Sequence, residues 1–134
     1  DDTIQPGTGF PPHGHQNMEI ITYVRKGAIS HKDSLGNEGR TEAGNVQVMS
    51  AASGIQHAEW NSEPDITQLF QLWIQPDSTG GQPSWGMREF PKGDRAGEWA
   101  IFASSDGEDD SLKIRQNAKV LGAMLKPSQS LTYD

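Results

Sequence analysis

The chain predicts an all-β domain, a double-stranded β-helix of two packed antiparallel sheets. Three observations predict it. Apolar and β-branched residues fall in runs of five to ten, bounded by turn residues, and no helical period is sustained beyond two turns. The 134 residues include 15 Gly and 8 Pro, a composition of many turns and short elements. Histidines and a carboxylate alternate at spacing i, i+2, which shares a face only in an extended strand. At this length one domain buries roughly two thirds of its unfolded surface.

Along the chain, residues 1–12 are rich in Gly and Pro, and Phe10-Pro11-Pro12 forces extended backbone up to His13. Met18–Val24 is β-branched and aromatic and reads as a buried strand. Lys26-Gly27 is a turn, Ala28–Lys32 a more polar strand, and residues 34–39 a hairpin loop. Ala43-Gly44-Asn45 turns into a strand over Val46–Ser50, and Ser53-Gly54 bends the chain toward His57 and Glu59. Ile66–Gln75 is the clearest strand. Its two parities carry Ile66, Phe70, Leu72 and Ile74 on one side, Leu69 and Trp73 on the other, so both faces are expected to be covered.

Pro76–Gly97 is punctuated by Gly and Pro and reads as a connecting region. Trp99–Ala103 is a short strand, and 104–110 an acidic loop without the spacing or closing glutamate of a calcium loop. Leu112–Gln116, Val120–Leu125 and Ser130–Tyr133 read as three further short strands. The organisation expected is a core over 1–76, a connection over 77–97, and strands over 98–134 that complete the barrel or open a second domain.

Composition narrows function. A net charge of −7, with Lys and Arg scattered, argues against direct contact with nucleic acid or an anionic membrane, since both need a positive patch. No apolar run approaches the roughly 18 residues of a membrane span. The absence of cysteine excludes disulfides, Fe–S clusters and thiolate ligands, and fits a reducing, cytoplasmic setting.

The chemistry lies in His13-Gly14-His15 and His57-Ala58-Glu59, with 41 residues between them. Each motif aims two side chains at one point from its own strand. If the strands face each other, three imidazoles and a carboxylate converge, a ligand set suited to a first-row divalent metal with positions left open. Glu19 continues the parity 13, 15, 17, 19, so an unbroken strand would place it at the same point. His31, the fourth histidine, is expected to face solvent or stabilise its hairpin, with orientation of a ligand as the alternative. Phe10 and Trp60 flank the motifs and are the expected pocket aromatics; Phe70 and Trp73 are expected in the core.

Gly7-x5-His13-x-His15-x3-Glu19 and Gly54-x2-His57-x3-Asn61 resemble the two motifs of the cupin superfamily. Gly27 stands one residue later than the usual glycine, and Ala52 replaces the usual proline. The longer blocks GFPPHGHQNMEIITYV (9–24), HKDSLGN (31–37) and VMSAASGIQHAEWN (48–61) resemble the N-terminal domain of pirins, and the likeness continues more loosely to the C-terminus.

That resemblance implies a metal held by His13, His15, His57 and Glu59, with Glu59 favoured over Glu19 as the carboxylate ligand. The ion implied is one Fe(II), with Mn, Ni, Co, Cu and Zn as alternatives. It also implies oxidoreductase activity of the quercetin 2,3-dioxygenase type, with a flavonol as the small aromatic substrate and Glu59 as catalytic base. The alternative is a non-enzymatic, iron-dependent transcriptional co-regulator, or an inactive remnant. Pirins carry a second barrel, so the chain is expected to be a first domain with the opening of a second, and to pair as a homodimer.

Overall fold

The structure is a computed structural model describing residues 1–134. Twelve strands and two short 3₁₀ turns form it. The strands are β1 Asp2–Ile4, β2 Gly9–His15, β3 Glu19–Lys26, β4 Ala28–Asp33, β5 Glu38–Glu42, β6 Val46–Ser50, β7 Ile55–Trp60, β8 Thr67–Ile74, β9 Ser84–Arg88, β10 Ala100–Ser104, β11 Leu112–Lys113 and β12 Lys119–Gly122.

Three sheets stack. A five-stranded sheet in the order β1-β8-β3-β6-β9 lies between a four-stranded sheet β2-β7-β4-β5 and a three-stranded sheet β11-β10-β12. The first two are antiparallel throughout and form the expected β-sandwich of the cupin fold. Their shared interior holds two apolar clusters: Ile4, Val24, Ile29 and Leu69, and Ile20, Met49, Ala51 and Ile55. On the opposite face of the central sheet, Ile21, Val46 and Val48 pack against Phe102, Ala103 and Ile114. Both faces of β3 and β6 are therefore covered. That is why these segments read as continuous apolar runs rather than alternating ones.

Several sequence expectations change. The hairpin loop 34–39 is shorter, because Glu38–Glu42 forms β5 and pairs with β4. Within 76–97, Ser84–Arg88 forms β9 and pairs with β6. Its sequence, SWGMR, lacks β-branched residues, so it gains strand geometry from the neighbouring edge rather than from propensity. Leu112–Gln116 contracts to β11, Val120–Leu125 shifts to β12, and Ser130–Tyr133 makes no strand. β11 and β12 pair with β10, and this sheet covers the central sheet of the same chain.

Candidate metal centre

β2 and β7 are neighbours in antiparallel register, and His13 stands directly opposite His57. The register needs a close approach at its other end. A Cβ at Gly9 would lie 2.2 Å from the Glu59 carbonyl oxygen, so only glycine admits this pairing. The motif's closing Asn61 is fully buried and donates from Nδ2 to the carbonyls of Ile4 and Asp65, fastening the strand ends around the site.

The three imidazoles converge. His13 and His57 bring their Nε2 atoms to 2.8 Å, and His15 completes a group whose ligand atoms all lie within 4.8 Å of one another. The rings meet edge to face, with centroids 4.4–5.0 Å apart. His13 donates Nδ1–H to the Pro11 carbonyl at 2.7 Å, which leaves the Nε2 lone pair pointing inward. Burial, and then the neighbouring imidazoles, push the pKa of His57 down to about 3. Burial, with His13 second, also lowers that of His15. Neutral imidazoles are the form that ligates metal. His57 Nδ1 is buried with no hydrogen-bond partner, 3.7 Å from Glu59 Oε1.

Glu59 adjoins the histidines on the same parity as His57 and is almost fully buried. Its carboxylate is held by two amides: Gln47 Nε2 donates to Oε2 at 2.8 Å, Gln71 Nε2 to Oε1 at 3.2 Å. Gln47 in turn accepts from Thr41 Oγ1, and Gln71 accepts from Trp73 Nε1. Burial pushes the Glu59 pKa up, opposed by the two glutamine hydrogen bonds.

Glu19 is not at the centre. Asn17 adopts φ 49° and breaks the chain between β2 and β3, so the parity does not carry across. Glu19 points to the opposite face of the central sheet, where Oε1 accepts the backbone N–H of Arg115.

His31 is not solvent-facing. It is 1% exposed, donates Nε2–H to Asp33 Oδ2 at 2.8 Å, and stacks flat on Trp85 at 4.7 Å. Its hairpin role is present. Burial pushes the Asp33 pKa up, but hydrogen bonds from His31, Asn37 and the Leu35 N–H outweigh it and hold the carboxyl below its usual range. Those same bonds fold the loop after β4. The ring of His31 also lies 5.5 Å from that of His57, so the hairpin backs the centre.

An open cleft of about 430 Å³ leads to the histidines, lined by Phe10, Pro12, His13, His15, Glu59 and Trp73. Phe10 takes its expected place. Trp60 does not line the cleft, because it is one residue off the parity of His57 and Glu59. Phe70 and Trp73 are not core: Phe70 is 41% and Trp73 57% exposed, and Trp73 stands edge-on to His15 at 5.1 Å. Gln47, Gln71, Trp73 and Trp85 are the site residues that sequence reasoning missed. A polar residue inside each of the apolar runs VQVMS and LFQLWI was the available signal for the two glutamines.

Two lone-pair nitrogens at 2.8 Å must share either a proton or a cation. With a third imidazole, a buried carboxylate and no thiolate, the residues present fit a divalent first-row metal ion.

Known proteins bear on this geometry. The sequence model of the pirin family matches residues 1–74. A pirin-like protein of Caulobacter vibrioides is 62% identical over 134 residues, covering 99% of this chain and 58% of that protein. A quercetin 2,3-dioxygenase of Escherichia coli is 41% identical over 98% of this chain and 56% of its own length. The solved structure of a bacterial pirin from Escherichia coli in complex with nickel(II) superposes with TM-score 0.80 at 38% identity, over 89% of this chain and 50% of that one. The chain thus spans 50–58% of the length of these relatives. With more than half its length matched by the family's sequence model and its strands laid out as in a solved member, this chain belongs to the pirin family, with the cupin fold.

Proposed function

We propose that this chain is a metal-dependent oxidoreductase domain of the quercetin 2,3-dioxygenase type, holding one divalent ion through His13, His15, His57 and Glu59. The observation that carries the reading is the convergence of three imidazoles, with the buried Glu59 carboxylate 3.7 Å from one of them, beside an open cleft that His13, His15 and Glu59 line. The quercetin 2,3-dioxygenase name of the Escherichia coli relative and the nickel(II) in the related pirin support it.

A bound divalent ion would supply Lewis acidity toward an enol oxygen of the substrate. The protein's residues do the rest. Glu59, whose proton affinity is raised by burial, takes the proton from the substrate hydroxyl at a carboxylate oxygen. Gln47 and Gln71 hold that carboxylate from opposite sides, so its orientation is set before substrate arrives. Phe10, Pro12 and Trp73 flank the approach with apolar surface suited to a planar aromatic ring. Which first-row ion is native is a question for elemental analysis, with Fe(II) our first expectation.

The test uses metal-loaded protein and quercetin, following loss of the flavonol's visible absorbance together with CO release. We expect near one metal per chain and turnover with CO. The double variant His13→Ala, His15→Ala should lose the metal and keep its β-type circular dichroism, because the apolar clusters lie elsewhere. Stoichiometric metal in that variant would overturn the ligand assignment. Metal without CO release would overturn the enzymatic reading and leave a metal-dependent binding protein.

A further inference from the structure

Arg95 is a buried cation without a counter-charge. It closes the 3₁₀ turn Lys92–Arg95, is 2% exposed, and takes part in none of the ion pairs of the structure. Its hydrogen bonds run through Nη2 alone, to Tyr23 Oη at 3.1 Å and the Gly44 carbonyl at 3.4 Å, and Nε is buried with no partner. The guanidinium lies over two aromatic rings, 5.3 Å from Tyr23 and 5.2 Å from Phe102, which are themselves stacked. Cation–π contact softens the cost of burying this charge but does not replace an anion.

Arg95 lines a cleft of about 320 Å³ on the outer face of the central sheet, bordered by residues of β8 and β12. Tyr23, Phe70, Leu72, Phe102 and Leu121 form its walls. This cleft opens on the side of β8 opposite to the metal centre. Phe70 and Leu72 alternate with Gln71 and Trp73, so one strand contributes to both clefts, and Gln71 borders each of them.

We propose that this cleft binds an amphipathic monocarboxylate, its carboxylate on the Arg95 guanidinium and its apolar body against Phe70, Leu72 and Leu121. Charge complementarity selects the head group, because a guanidinium is a permanent cation with fork geometry that matches a carboxylate. The apolar walls select the body, and the volume sits at the small end of the roughly 300–1,000 Å³ range of ligand clefts.

The test is a chemical-shift titration of the 134-residue chain with 4-phenylbutyrate and, in parallel, its neutral isostere 4-phenylbutanamide. We expect saturable shifts at the amides of Phe102, Leu121 and Gly122, not at Gly14 or His15. The acid should bind about ten- to a hundredfold more tightly than the amide, the worth of a charged hydrogen bond. Arg95→Met should erase that preference. Leu72→Trp, which fills the cleft from an exposed position and leaves Arg95 in place, should abolish binding of both, and decides the matter if Arg95→Met does not fold. Equal affinity for acid and amide, shifts confined to the histidine cleft, or binding undiminished in Leu72→Trp would each overturn the proposal. So would a concentration-dependent dimer that Leu72→Trp disrupts and 4-phenylbutyrate does not, since the cleft would then be an interface between copies of the chain.

Discussion

At the scale of the residue, the two buried glutamates have opposite environments. Glu59 is held by two side-chain amides beside three imidazoles; Glu19 accepts a backbone N–H from the C-terminal layer and leaves Oε2 unpartnered. Glu59→Gln should therefore weaken metal binding or abolish turnover, and it sets an amide NH2 against one of the two glutamine donors, so stability falls as well. Glu19→Gln should leave metal content alone and shift stability by about 1–3 kcal/mol through its buried hydrogen bond. Metal content of the two variants separates these roles, thermal melts check the stability losses, and metal loss confined to Glu19→Gln would reverse the assignment.

The imidazoles carry a pH dependence whose sign is fixed by their burial. His15, His31 and His57 all have folded-state pKa values below the ordinary 6.5. In each case the unfolded chain binds the proton more readily. The stability they contribute is complete above about pH 6.5 and is lost as pH falls, for His57 toward about 3. Asp33, held below the usual carboxylate range, adds a further loss below about pH 4. Melting temperatures of the metal-free protein should fall steadily from pH 7 to 4, and His31→Gln should flatten the upper part of that slope. A level profile would contradict these shifts.

At the scale of the element, the parity of β2 and β7 made His13, His15, His57 and Glu59 legible as one set, because alternation on a strand depends only on backbone geometry. The same reasoning failed for Glu19, since its premise was an unbroken strand and Asn17 breaks it. Parity with His57 and Glu59 excludes Trp60 from the cleft, whereas Trp73 was misplaced because hydrophobicity does not reveal which face of a half-covered strand is wet. β9 was illegible for a different cause: its propensity is poor, and its partner β6 lies 34 or more residues earlier in the chain. Yet β9 supplies Trp85, which stacks on His31 and lies across Gly39 of β5. A Cβ at Gly39 would stand 2.2 Å from the Trp85 ring. Gly39→Ala should thus lift the indole off His31, cost about 1–3 kcal/mol by overpacking, and change the tryptophan fluorescence. Unchanged stability and emission would show that the stack is not held in this way.

At the scale of the whole molecule, the third sheet is the feature that organises everything outside the metal centre. It buries Phe102, Ala103 and Ile114 on Ile21, Val46 and Val48. Removing residues 98–134 should expose that apolar face, and the shortened chain should scatter light and bind an apolar dye where the full chain does not. A soluble, dye-silent fragment would mean that the five- and four-stranded sheets suffice. The sequence by itself determined the all-β class, the main strands of the five- and four-stranded sheets and the convergence of three histidines, because strand parity and turn chemistry are local properties. Only the tertiary structure decided which glutamate adjoins those histidines, which aromatics line the cleft, and that Arg95 is buried without a counter-charge. Each of those depends on which sheet a strand joins and which face its neighbours cover, and long-range pairing sets both.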